Sequence, residues 1–366
     1  MIQLKDIGKF EEVPEIAMHI YQGNIPALRN ALAEGWDMEE GIVLSRYTAL
    51  SPLDLAVIAE RLDVVKLLVE HGVNLNDAQS PAFLRAVRYG KEGMVRYIAA
   101  QGARMDMLNR VGSGAYSQAY YGNKSNIPLI QELGLDIKQH GGAVLRQAVS
   151  DHDYKTLNYL LDQGVDINYN QPDQVYPYEA TPLTVAARIG NFDMVKYLIE
   201  RGADVTLAEK DGERPYTIAV SQKNAVLADY LKSLEPPEFH DVANKKHELR
   251  AYKLPEELVD LLTGDRLRLE LAPNEYDIRH IDFFTLTDTI PIKIGRQKLL
   301  RLSADIDNYS DLQLMWNPKK KGWIGCYDVE HDNYSDLCRF RRVPRASRYV
   351  SGSFSWRESC RNRNGA

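Results

Sequence analysis

Between residues 15 and 234, apolar positions fall into pairs of short helical stripes, and most pairs close on a glycine. The clearest pair is "TPLTVAARIGNFDMVKYLIERGADVT" (181–206). Leu183, Ala186 and Ala187 share one face of a first helix, where the alanines let a neighbouring helix approach closely. Met194, Val195, Leu198 and Ile199 give a second helix its 3.6-residue stripe. "SPLDLAVIAERLDVVKLLVEHGVNLN" (51–76) aligns with it without a gap. Thr181 and Ser51 are placed to cap a helix N-terminus with their hydroxyls, and Pro182 and Pro52 stand at the first helical position, where a missing N–H costs nothing. Weaker copies end in "YIAAQGARMD", "LIQELGLDIK" and "YLLDQGVDIN". An entry copy begins "IAMHIYQGNIPALRNALAEGWDM", and the last, "DGERPYTIAVSQKNAVLADYLKS", lacks the closing glycine. Gly35, Gly72, Gly102, Gly134, Gly164 and Gly202 mark the register, at spacings of 37, 30, 32, 30 and 38. Each suits the left-handed end of a helix.

This pattern resembles the ankyrin repeat, with its period of ~33 residues and Thr-Pro-Leu-His signature. The resemblance runs from about Glu15 to Leu234 and implies a mainly α solenoid of about seven units, counting both ends. There are departures. The family's His is Asp54 in one good copy and Thr184 in the other, and the third to fifth copies lack the Thr-Pro start apart from a displaced Ser80–Pro81. Two loops are enlarged, Glu39–Leu50 and Tyr169–Ala180, and insertions in such solenoids map to loops, often on the binding face.

Beyond Leu234 the period changes. Pro236–Pro237 cannot continue a helix, so 1–234 reads as the solenoid and 235–253 as a linker. "LPEELVDLLTG" then predicts a short helix from Pro255 to Gly264. "RLRLELA" alternates apolar Leu267, Leu269 and Leu271 with charged neighbours, and further strand-like runs follow: "IRHIDFFTL", "TIPIKI", "QKLLRLSA", "LQLMW" and "GWIGCY". One helix and several strands predict a small α+β domain with a mostly antiparallel sheet over 254–338. The opening "LPEELVDLL", the middle "LLRLSADIDNYSDLQLMWNP" and "GWIGCYDVEHDNYSDL" resemble the SUKH superfamily, the domains similar to fungal cell-wall assembly regulators. That resemblance implies a bacterial immunity protein that binds and neutralises a toxin, a role in which ankyrin-repeat proteins also occur. It further implies a helix after Leu337, whereas 339–366 has eight Arg, no Lys and one Glu. That tail reads as a basic, disordered segment or as a shifted frame. The hexapeptide "DNYSDL" occurs at both 307–312 and 332–337. We read it as one turn phrase used twice, with Ser335 or Asp332 available to cap a helix in the second copy.

Composition narrows the function. Net charge is −6; the tail carries +7, leaving −13 on residues 1–338. An acidic body suits a basic protein partner, such as a nuclease toxin domain, and excludes sequence-independent nucleic-acid binding. No apolar run approaches the ~20 residues that span a bilayer. No signal peptide is legible, and the three cysteines are few and unpatterned, so a cytoplasmic location is expected. Eight scattered histidines lack metal spacing; no nucleophile elbow, P-loop or dinucleotide fingerprint occurs; and Gly141–Gly142 reads as a turn before a helix. "DIDNYSD" (305–311) fails the calcium-loop pattern at three positions. A non-enzymatic interaction protein without cofactor or metal is therefore expected, either an immunity protein or a general ankyrin scaffold.

The candidate partner-binding residues are the aromatic and cationic side chains on finger loops or inner-helix ends: Arg46, Tyr47, Arg88, Tyr89, Tyr121, Tyr169, Tyr176, Tyr178 and Arg188. Tyr is favoured in binding hot spots, and the three arginines could meet an acidic ligand. Half of these tyrosines are as easily explained by packing under loops. Trp323 joins the set if the hairpin tip "NPKKKG" between it and Trp316 is exposed; otherwise both tryptophans pack across strands.

Overall fold

The computed structural model describes residues 13–271, 273, 277–320 and 323–339. The tail from Phe340 onward and Lys321–Gly322 of the hairpin tip lie outside the described residues, as does Cys360. The chain divides into two compact units, Met1–Pro177 and Tyr178–Ala366.

In the first unit the stripes become helix pairs. They are α1 (Glu15–Gln22) with α2 (Ile25–Ala33), α3 (Pro52–Ile58) with α4 (Leu62–Glu70), α5 (Ala82–Tyr89) with α6 (Glu92–Ala100), α7 (Ala115–Tyr121) with α8 (Asn126–Glu132), and α10 (Gly142–Ser150) with α11 (Tyr154–Asp162). A single turn, α9 (Ile137–His140), precedes the last pair. The first enlarged loop forms a hairpin of β1 (Ile42–Ser45) and β2 (Thr48–Leu50). The second unit opens with two more pairs, α12 (Pro182–Ile189) with α13 (Phe192–Glu200) and α14 (Pro215–Ser221) with α15 (Ala225–Leu234). Within each unit the first helices of successive pairs stack on one another.

The capping chemistry is as the sequence predicts. Ser51 Oγ accepts the Asp54 N–H at 3.0 Å. Thr181 Oγ1 accepts from Thr184 N while Thr184 Oγ1 accepts from Thr181 N, satisfying two donors that the helix would leave orphaned. Gly72 and Gly202 end α4 and α13 at φ +85° and +97°, where a Cβ would cost roughly 1–2 kcal/mol.

One position repeats in a way the residue types conceal. Eighteen places before the closing glycines stand Asp54, Leu84, Tyr116, Arg146 and Thr184, all buried. The residue type at this position varies, and several of these side chains bond to residues further along the chain. Asp54 accepts from Ser80 Oγ at 2.6 Å and pairs with Arg85. Tyr116 donates its hydroxyl to Leu135 O at 2.6 Å. Arg146 grips the second enlarged loop.

The remainder of the second unit is α+β. The 235–253 stretch, expected as a linker, holds α16 (Val242–Glu248) between two 3₁₀ turns, and Leu249 is buried. After α17 (Glu256–Thr263) come β3 (Arg268–Glu270), β4 (His280–Phe283), β5 (Ile290–Ile294), β6 (Gln297–Arg301), β7 (Ser303–Ile306), β8 (Leu312–Asn317), β9 (Trp323–Asp328) and β10 (Asn333–Arg339). They make two antiparallel sheets, ordered β3-β4-β7 and β10-β9-β8-β6-β5. The expected single strand "QKLLRLSA" breaks at Leu302, whose N–H donates to Leu314 O, and its halves enter different sheets. Leu258 and Leu262 of α17 bury against Ile281, Leu300, Leu302 and Trp316.

The two copies of the hexapeptide differ. In the first, Asn308 takes φ +64° in a β7–β8 turn and Asp307 receives two bonds from the Arg279 guanidinium. In the second, Asp332 turns at φ +46° and Asn333–Leu337 run into β10. Asp332 and Ser335 precede and enter a strand here and do not cap a helix, because the backbone pairs with β9 from Asn333↔Asp328 to Arg339↔Trp323; the helix implied after Leu337 falls almost wholly outside the described residues.

Candidate functional site

A cleft of about 410 Å³ opens in the first unit where two loops converge on the inner helices. That volume lies within the range typical of ligand pockets. The C-terminus of α5 contributes Arg88, α7 contributes Gln118 and Tyr121, and α10 contributes Gln147. The finger 109–113 and the enlarged loop at 173–176 form the lips, with Val111 and Val175 57% and 59% exposed and Tyr121 49% exposed beside them.

Side-chain amides build the polar part of the wall. Gln118 Oε1 accepts from Arg88 Nη1 at 2.9 Å while its Nε2 donates to Ser113 Oγ at 2.8 Å. Tyr121 donates to Gln147 Oε1 at 3.0 Å, and Gln147 Nε2 donates to Asp151. Tyr120 also donates to Asp151; burial, with that bond, raises its phenol well above the usual range and keeps it a donor.

Arg146 fixes the enlarged loop. It is fully buried, donates to Gln171 O at 2.8 Å and to Asp173 Oδ2 at 2.6 Å, and lies over the rings of Tyr169 and Tyr176 at 4.8 and 5.0 Å. Asp173 Oδ1 accepts from the N–H groups of Val175 and Tyr176, so one carboxylate folds the loop tip. Gly142 completes the mount: a Cβ there would stand 2.2 Å from the Tyr169 ring. The cleft is therefore held open by a charged, hydrogen-bonded and stacked anchor.

Of the sequence candidates, Arg88, Tyr121 and Tyr176 meet at this cleft. Tyr169 packs beneath it. Tyr89 ends α5 under the Arg88 guanidinium at 5.5 Å. Arg46 lies 5.3 Å over Tyr47, which is 85% exposed in the β1–β2 turn. Tyr178 and Arg188 belong to the second unit. There the half-buried Arg188 reaches Glu209 at 2.6 Å and Glu213 at 3.2 Å and lies over the Tyr178 ring at 5.4 Å, so its charge is balanced internally. Trp323 is half-buried on β9 and paired with Asn317. Trp316 is buried and donates its indole N–H to Tyr252 O. Sequence reasoning missed Arg146, Gln118 and Gln147. Arg146 had a usable signal, being an arginine at the buried position eighteen before a closing glycine.

Two carboxylate clusters invite a metal reading, and in both a cation of the chain stands in place. Lys223 Nζ lies 3.1 Å from Asp282 and 2.7 Å from Asp305, beside His280. Glu209, Asp211 and Glu213 share the guanidinium groups of Arg188 and Arg301, the latter 2.7 Å from Glu213. Three carboxylates facing two cations leave a deficit, and burial pushes the Glu209 carboxyl up to about 7. Among the described residues no helix is long and apolar enough to cross a membrane.

Comparison with known proteins agrees with the helix pairs. A family model described as "Ankyrin repeats (3 copies)" matches residues 145–238, and one for a single "Ankyrin repeat" matches 50–80. The chain is also similar to "Ankyrin repeat and KH domain-containing protein mask-1" of Caenorhabditis elegans, 26% identical over 154 residues. That match covers 41% of this chain and 6% of that protein.

Proposed function

We propose that this chain, which carries ankyrin repeats, is a non-enzymatic protein-binding molecule, and that the cleft between the inner helices and the two finger loops receives a segment of its partner. The observation that carries this is the combination of an anchored loop with an exposed lip. Arg146 and Asp173 hold the loop rigidly, while Val111, Val175 and Tyr121 remain open to solvent around a wall of amides. Preorganised aromatic and aliphatic groups of this kind bind without a large ordering cost. In this account 1–234 is the binding solenoid and 254–338 a second module. The test is affinity capture with the full chain against Val175→Asp and Tyr121→Ala variants of unchanged stability. Partners retained equally by all three would place binding elsewhere.

A narrower role, toxin immunity, draws support from the α+β region. Its helix α17, antiparallel strands and β8–β9 hairpin flanked by Trp316 and Trp323 fit the SUKH-like resemblance. The acidic body would then favour a basic toxin domain. Co-expression with candidate toxins tests it: rescue of growth supports the role, and no rescue by a chain that folds normally leaves the general scaffold.

A further inference from the structure

Arg88 and Arg188 occupy the same place in their repeats, fourteen residues before Gly102 and Gly202. The fingers that follow them are also equivalent. In 109–113, Asn109 N donates to Ser113 O and Gly112 N to Asn109 O; in 209–213, Glu209 N donates to Glu213 O and Gly212 N to Glu209 O. Gly112 and Gly212 both turn with positive φ, +68° and +84°. The backbones match, and the side chains differ at the two positions that count. Arg188 finds Glu209 and Glu213. Arg88 faces a finger with Asn109 and Ser113 in those places, and among the described residues no carboxylate pairs with it. Its hydrogen bond goes to the neutral amide of Gln118, in the wall of a cleft whose other lining charge, Asp173, is already neutralised by Arg146.

From this we infer that the cleft recognises an aspartate or glutamate side chain in an extended segment of the partner, with Arg88 as its receptor and Val111, Tyr121 and Val175 gripping an adjacent apolar residue. The partner's carboxylate replaces what Glu209 and Glu213 give Arg188. A guanidinium fork suits a carboxylate because both are planar and can form two parallel bonds. The cationic spot is local and sits within a body of −13 net charge, so the global sign of the protein does not predict what this cleft selects. The inference rests on the cleft being the binding site.

The experiment pans the full chain against a random-peptide phage library and measures the affinity of selected peptides by fluorescence anisotropy. Peptides carrying Asp or Glu next to an apolar residue are expected. Changing that acid to its amide, or Arg88→Met (which keeps the stem and removes the charge), should weaken binding about tenfold or more. Arg88→Lys should restore part of it. The double variant Asn109→Glu with Ser113→Glu, which supplies Arg88 with carboxylates of its own, should abolish binding while the urea midpoint holds or rises. Selected peptides without an acid, or peptides whose only carboxylate is the C-terminus, overturn the inference, as does equal binding by Arg88→Met. If such peptides still lose affinity with Val175→Asp, the cleft remains the binding site and only the acid recognition falls. If no selected peptide responds to Val175→Asp or Tyr121→Ala, the cleft assignment falls with it.

Discussion

The fingers at 109–113 and 209–213 share a backbone and differ in what they do for the arginine beside them. One is electrostatically closed, with two buried glutamates meeting Arg188 and Arg301. The other leaves Arg88 bonded to Gln118 at the edge of a cleft. A repeat scaffold can thus use one position for stability in one copy and leave it available for recognition in another, by changing two side chains and no backbone.

The sharpest way to break that contrast is to remove each arginine in turn. Arg188→Met strands Glu209 and leaves Glu213 to Arg301 alone, and uncompensated buried charge costs about 3–5 kcal/mol. Arg88→Met strands no charge and should cost less than about 1 kcal/mol. Urea titrations of both variants decide it; equal losses would erase the distinction.

Next in size is the pH dependence of the closed finger. Glu209 is raised from 4.5 to about 7, so the folded state holds its proton more tightly than the unfolded state does. Its contribution is fully present below pH 4.5 and is lost as pH rises through 7, by about 2–3 kcal/mol. Glu209→Gln should flatten that segment of the stability–pH curve, measured by denaturant titration across the window. An unchanged slope would assign the dependence to another group.

Gly142→Ala probes the mount of the open cleft. The new methyl would collide with the Tyr169 ring, and overpacking of this kind costs about 1–3 kcal/mol. Its mark should be loss of peptide affinity together with stability, because the loop that Tyr169 and Arg146 hold is one lip of the cleft. The smallest effect is the conversion of one finger into the other: Asn109→Glu with Ser113→Glu should add less than about 1 kcal/mol, as a partly exposed ion pair does.

The helix pairs were legible because their signals are local: caps, prolines, a 3.6-residue stripe and a glycine that must take positive φ. Ser51, Thr181 and Gly202 announce their roles without knowledge of what they pack against. The β region was legible only in part. The break at Leu302 depends on which of two sheets each half joins, and β10 exists because β9 offers it an edge. Neither fact is contained in the strand's own residues. The cleft was the hardest to foresee, since it needs 109–113 and 173–176 to meet over three helices. Arg88, Tyr121 and Tyr176 could be singled out one by one, yet nothing in their spacing said they would share a wall. The absence of acids at Asn109 and Ser113 was visible in "NRVGS" against "EKDGE". It gained meaning only once Arg188 was seen pairing with Glu209 and Glu213.

Asp54, Arg146 and Arg188 each bond forward, to the segment that follows their own unit. Each such residue is keyed to one successor. A duplicated or deleted unit would therefore leave an acid without its hydroxyl or a buried guanidinium without its loop, even though every helix could still form. Growth by copying, the usual route by which repeat arrays lengthen, is closed at these junctions until both sides of the key change together. The order of the units is as much a part of this protein's inheritance as their number.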